Sequence, residues 1–201
     1  MALLNPPQTP LPIVLASSSV YRRGLLARLG LPFSVFAPDI DEHPAMDERP
    51  EQIALRLSIA KAHAAASINP KALIVGSDQV AILDGVQLGK PGNFDNALRQ
   101  LRAASGRTVD FHTGLCLYNS DSGNMQGEVV RNSVAFRSFD DAEIGRYLHR
   151  EAPYYCAGSA KTEGLGIALI QRISGDDPNA LIGLPLIALV GMLQNEGVLV
   201  I

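Results

Sequence analysis

The chain has 201 residues, 47% of them apolar and 18% charged, with a formal net charge of −3. That length is enough to bury a proper core, and the slight acidity argues against a broad nucleic-acid or membrane footprint, though not against a local basic pocket. Two cysteines, Cys116 and Cys156, lie far apart and outside C-x-x-C spacing, which argues against a disulfide framework or structural zinc and points to a reducing compartment.

The opening "MALLNPPQTPLPIVLA" has no basic stretch, and prolines interrupt it before a long apolar run develops, unlike a secretory signal. The apolar run "LIGLPLIALVGML" near the other end contains Pro185 and is too short to span a bilayer. A soluble cytoplasmic protein is expected, with a single domain over 1–201 and a flexible segment over 1–12.

Strand-like runs alternate with helical ones, the pattern of an α/β or α+β sheet. "PIVLA" (12–16) predicts a buried strand, and Ser17 to Ser19 supply N-caps for a helix ending near Gly30. "FSVFAPDIDE" predicts a strand running into an acidic loop. Residues 50–67 are helical, with Ile53, Leu57, Ala60 and Ala64 on one stripe. "ALIVGSDQVAILDG" is a strand pair or one long bent strand, with Asp84-Gly85 as a turn. A helix over 95–104 ends at Gly106, and "TVDFHTGLCLY" alternates as if one face were wet. "NSDSGN" is turn chemistry leading to "VVRNSVAFRSF", which completes a hairpin. Phe139, Asp140 and Glu143 form a staple and capping box for a helix to about Arg150. "GIALIQRIS" predicts a further strand, and the last helix runs over 185–196.

Four groups of residues carry chemistry. In "LASSSVYRRGLLARLG", Arg22 and Arg23 sit in the first helical turn, where the helix dipole disfavours cations. Helical geometry puts Arg22 near Leu26 and Leu29, on the apolar side. Both arginines either snorkel at the core's edge or complete an anion site with the serines and the helix amides. "DIDE" (39–42) is either a solvated loop or a set of hard oxygen ligands for a divalent ion such as magnesium. In "GSDQ", strict alternation puts Asp78 on the face of Ile74, Val80 and Ile82, an expensive place for an unpaired carboxylate. The chain must bulge there, or a metal, a lysine or a water must hold Asp78. Lys61, beside the stripe of the helix over 50–67, and Lys90, after the turn in "LGKP", bracket the same sheet. No P-loop, dinucleotide fingerprint, nucleophile elbow or metal-spaced histidine set occurs.

"LASSSVYRRGLLARLG", Asp41-Glu42, "GSDQV", "LGKP", "SGRTVDFHTGL", "AGSAKTEGLG" and "NALIGLPL" stand in the order found in the Maf family of nucleotide pyrophosphatases, which this chain resembles over nearly its whole length. The resemblance implies an inosine-triphosphatase-like α/β fold: an elongated twisted mixed sheet flanked by helices, with an active-site cleft between two lobes. It implies hydrolysis of nucleoside triphosphates to the monophosphate and pyrophosphate with a divalent cation, magnesium or manganese, and a homodimer acting on a free nucleotide. Carried over, Asp78 is the catalytic base or a metal ligand. Ser17, Arg22, Arg23, Lys61 and Lys90 fall on phosphate-binding positions, and Glu42 on a metal position. Tyr21, Gln79 and Glu163 fall where the substrate is chosen. "SDQ" together with "TEG" resembles the branch acting on 7-methyl-GTP, with Tyr21 in place of its usual Trp and Val20 in place of its Pro. A carboxylate such as Glu163 can accept both donors of the guanine edge, and an aromatic face attracts the cationic methylated purine. A pyrophosphatase for dTTP, UTP or other modified nucleotides, and a nucleotide-binding regulator of septum formation, are the alternatives.

Overall fold

A computed structural model describes residues 10–201. Residues 1–9 of the segment expected to be flexible lie outside the described residues, and Leu11 already packs on the core. The strands are β1 (Ile13–Ala16), β2 (Phe33–Phe36), β3 (Leu73–Leu83), β4 (Val86–Leu88), β5 (Thr108–Asn119), β6 (Met125–Phe136) and β7 (Ile170–Ser174). The helices are α1 (Val20–Ala27), α2 (Pro50–Ala66), α3 (Phe94–Ala104), α4 (Asp141–Glu151), α5 (Pro178–Ile182) and α6 (Leu186–Asn195). The seven strands form one mixed sheet in the order β2-β1-β3-β5-β6-β7, with β4 paired to β3. β1 is parallel to β2 and β3, while β3, β5, β6 and β7 run antiparallel in turn.

Local sequence accounts for most ends. Ser19 caps α1 by accepting from the Arg22 amide, and Asp140 and Glu143 close a reciprocal capping box on α4. The expected strand over 166–174 is corrected: Leu165–Leu169 is a 3₁₀ turn, and only Ile170–Ser174 pairs with β6. The wet face expected for β5 is also corrected, because Thr113 to Leu117 are buried on both faces. Leu115 and Leu117 face Leu25, Leu189 and Leu193 on one side, and Cys116 faces Ala62 and Ala65 of α2 on the other. On α2 itself the buried face is Ile53, Leu57 and Lys61, with Ala60 and Ala64 only half-buried.

One face of the sheet carries two separate apolar clusters. Ile13, Leu73, Leu115 and the helices α1 and α6 form the first. Leu83, Phe111, Phe136 and the helices α3 and α4 form the second. The long strands β3 and β5 serve both clusters, and a polar belt of Ser77, Gln79 and Thr113 separates them. These three side chains bond α5: Ser77 Oγ donates to the Gly183 carbonyl at 2.9 Å, Thr113 Oγ1 to the Ala180 carbonyl at 2.9 Å, and Gln79 Nε2 to the Ala180 and Leu181 carbonyls at 3.0 Å.

The pairing of β3 leaves a gap that becomes important. On one edge, its parallel partner β1 stops at Ala16 opposite Gly76, and β4 pairs only from Ala81, opposite Leu88, onward. Ser77 to Val80 therefore have a neighbour, β5, on one side alone. The opening lies at the carboxyl end of β1, the usual place for a ligand in a parallel sheet.

α2 lies close against the sheet because β3 and β5 present glycines to it. A Cβ on Gly114 would overlap the Ala54 carbonyl and stand 2.6 Å from Ser58 Oγ, whereas a Cβ on Gly24 of α1 would meet nothing within 4 Å. Gly114→Ala should therefore lose about 2–3 kcal/mol or more by overpacking, and Gly24→Ala should gain about 0.5–1 kcal/mol of helix stability. Urea unfolding midpoints of the two variants should move in opposite directions; equal midpoints would contradict the close α2 contact.

Candidate active site

The gap beside β3 opens into a cleft of about 590 Å³, the size of a small-ligand site. Its floor is Asp78 and Gln79 of β3. One wall is Ser17 and the first turn of α1, and the other is formed by Lys90 and the turn carrying Glu163. Of the residues singled out in the sequence, the cleft gathers Ser17, Tyr21, Arg22, Glu42, Lys61, Asp78, Gln79, Lys90 and Glu163. Arg23 is the exception: it is exposed and does not line the cleft. One residue along a helix is a rotation of about 100°, which carries it away from the face that holds Arg22.

Asp78 is held without a bulge, since the register of β3 against β5 is continuous through it. Its amide, lacking a β1 partner, donates to Ser58 Oγ of α2 at 3.0 Å. Its carboxylate Oδ1 accepts from Lys61 Nζ at 2.5 Å, and the same ammonium lies 2.7 Å from Glu42 Oε1. Lys61 is only 6% exposed, so its charge is sustained by these two carboxylates. Burial raises the Glu42 carboxyl, but the hydrogen bond and charge of Lys61, with Lys90 and Arg22 farther off, outweigh it and hold Glu42 below its ordinary range.

Arg22 approaches the same cluster from α1. Its Nε donates to the Gly183 carbonyl at 2.7 Å, and Nη1 reaches Ser17 Oγ at 3.5 Å. Burial lowers the Arg22 pKa, and the charges of Asp78 and Glu42 work against that shift. The guanidinium thus has one donor fixed on backbone and others left toward the cleft, the arrangement that suits a phosphate oxygen. Gly183, at φ 124°, accepts from Ser77 and Arg22 together, which ties α5 to the Arg22 end of the cleft.

At the other end Tyr21 stands beside Cys156, with Sγ 4.0 Å from its hydroxyl, and Lys161 Nζ lies 5.8 Å from the ring centre. Burial, and then Cys156, push the Tyr21 phenol up, and burial pushes the Cys156 thiol up as well. Glu163 is exposed at the tip of the turn. Tyr155, 78% exposed, also lines this end. Tyr155 and Cys156 also line the cleft though no spacing in the sequence marked them, and Gly183 lines it from within the "NALIGLPL" motif. Only the fold brings them to α1.

Glu42 and Asp78 offer hard oxygen donors, and among the described residues no cluster of three or more carboxylate, histidine or cysteine side chains is suited to a metal. Two carboxylates with phosphate oxygens and water fit magnesium, which seldom has an all-protein cage. The residues present therefore fit a divalent ion shared with a polyphosphate.

The sequence model of the family described as Maf-like protein matches residues 12–196. A protein named 7-methyl-GTP pyrophosphatase from Methylobacillus flagellatus is 60% identical over 190 residues, covering 94% of this chain and 99% of its own. Proteins of the same name from Ralstonia nicotianae and Nitrosococcus oceani are 57% and 55% identical, covering 92% and 96% of this chain and 95% and 96% of their own.

Removing the buried ammonium should leave two carboxylates facing each other. Lys61→Met is expected to cost about 3 kcal/mol of stability, and adding Asp78→Asn to it should recover at least about 1 kcal/mol by removing the uncompensated charge. Thermal unfolding of the two variants checks this. A double variant no more stable than the single one would contradict the charge bridge.

Proposed function

The chain belongs to the Maf family, and from that premise we propose that it hydrolyses 7-methyl-GTP to 7-methyl-GMP and pyrophosphate, removing a modified nucleotide from the pool. The observation that carries the reading is a single cleft with two chemically different ends. Arg22, Lys61, Lys90 and Ser17 supply cations and a hydroxyl at one end, and Tyr21 and Glu163 supply an aromatic face and a carboxylate at the other.

The chemistry follows from those placements. The triphosphate lies along Ser17, Arg22 and Lys90, whose charges offset its own. Lys61 engages only Oδ1 of Asp78, so Oδ2 is left to accept a proton from water. The water oxygen bonds the α-phosphorus, the bond from that phosphorus to the bridging oxygen breaks, and pyrophosphate leaves with the electron pair. A divalent ion held by Glu42 and Asp78 would supply charge neutralisation on the phosphate oxygens. Glu163 accepts from the guanine edge while the cationic ring of the methylated base lies on Tyr21. Gln79 acts on the substrate indirectly, because its amide nitrogen is committed to α5 and Thr113.

The reading extends to a cytoplasmic enzyme working as a homodimer on free nucleotides. Two free cysteines support the reducing compartment. Among the described residues no helix is long and apolar enough to cross a membrane. The dimer rests on the family resemblance alone.

A turnover panel of 7-methyl-GTP, GTP, dTTP and UTP with magnesium or manganese tests the proposal. The methylated nucleotide should give the highest kcat/KM, and equal rates on dTTP would sink the substrate assignment. Asp78→Asn should lower kcat by about 10²–10⁴ while nucleotide still binds. Binding without turnover in the unaltered protein would favour a regulatory role instead.

A further inference from the structure

Tyr21 already has a cation on it. Lys161 Nζ, 5.8 Å from the ring centre, is within the range of a cation–π contact. A lysine there opposes the binding of a cationic purine, since like charges repel across a few ångströms. The lysine is not free, however. Its ammonium lies 2.6 Å from Glu151 Oε1 at the end of α4.

Glu151 does more than pair. Its second oxygen accepts from the Leu165 amide at 2.7 Å, and the Lys161 carbonyl accepts from the Gly164 and Gly166 amides. The turn holding Glu163 is thereby closed on itself and fastened to α4. Lys161's own amide donates to the Tyr147 hydroxyl at 3.0 Å, which fixes where the lysine starts. Glu163 also acts electrostatically on both Tyr21 and Lys161. Glu151 and Lys161 cancel, so Glu163 leaves this end of the cleft with one net negative charge.

We propose that the Glu151–Lys161 pair sets the charge of the base-binding end, with Glu151 a specificity-determining residue that neutralises Lys161 and lets a cationic base occupy Tyr21. This rests on the reading of Tyr21 and Glu163 given above. Glu151 acts through Lys161 and the turn, so it is a positioning residue and not a catalytic one.

The test is the ratio of dissociation constants for 7-methyl-GMP and GMP, which differ by one methyl group and one charge, so that phosphate contacts cancel. Glu151→Gln keeps an acceptor for Leu165 and removes the charge. It should reduce preference for the methylated nucleotide by about three- to tenfold, the effect of one unit charge at this range. Lys161→Gln should raise that preference by a similar factor, and the double variant should return to within about twofold of the unaltered protein. A merely structural pair would weaken both ligands equally, or move the ratio the same way in both single variants, and either result overturns the proposal. Opposite shifts in a protein that itself binds the two ligands equally would uphold the charge pair and overturn the 7-methyl-GTP reading. A protein that prefers the methylated ligand with unshifted single variants would do the reverse.

Discussion

A buried lysine between two carboxylates is the contact around which this cleft is organised. Lys61 projects from the last third of α2 toward Ser77 to Val80, where β3 has a strand on one side alone, and there it meets Asp78 and Glu42. An ammonium so little exposed is costly without partners, and a carboxylate on the same buried face is equally costly. Each offsets the other's cost, and the pair links a helix, a central strand and the loop after β2. Close approach of α2 makes this possible, and glycines at 76 and 114 make the close approach possible.

The second organising feature is the polar belt across the opposite face of β3 and β5. Ser77, Gln79 and Thr113 interrupt what would otherwise be one apolar core, and they spend their hydrogen bonds on the backbone of α5. Because the Gly183 carbonyl also receives Arg22, the belt fixes an arginine that lines the cleft. Neighbouring residues along β3 therefore do different work. Ser77 and Gln79 position α5 on one face, and Asp78 meets Lys61 and Ser58 of α2 on the other.

Much of this was legible in the sequence where the cause is local. Ser19 and Asp140 cap the helices that their spacing announces, and Asp84-Gly85 turns β3 into β4. Asp78 declared itself by sitting on an apolar face, and of the three ways to hold it the fold uses the lysine. The arginine question resolves in the same way: Arg22 faces the cleft and Arg23 faces away, as helical rotation requires. What could not be read has distant causes. The 3₁₀ turn at Leu165–Leu169 depends on Glu151, and alternation in "GIALIQRIS" mimics a strand in its place. β5 looks half-wet because Gly114 and Thr113 are small or polar, yet α2 and α5 cover them. Tyr155 and Cys156 carry no pattern that points to Tyr21.

The proposed function joins phosphate chemistry at Asp78 to base selection at Tyr21 and Glu163 in one cleft, and a crystal structure with a non-hydrolysable α,β-methylene analogue of 7-methyl-GTP tests that joining most directly. The α-phosphorus should lie beside Asp78 with the remaining phosphates toward Arg22 and Lys90, and the methylated ring should lie on Tyr21 with its edge at Glu163. An analogue bound with its base at Lys61, or outside this cleft altogether, would contradict it.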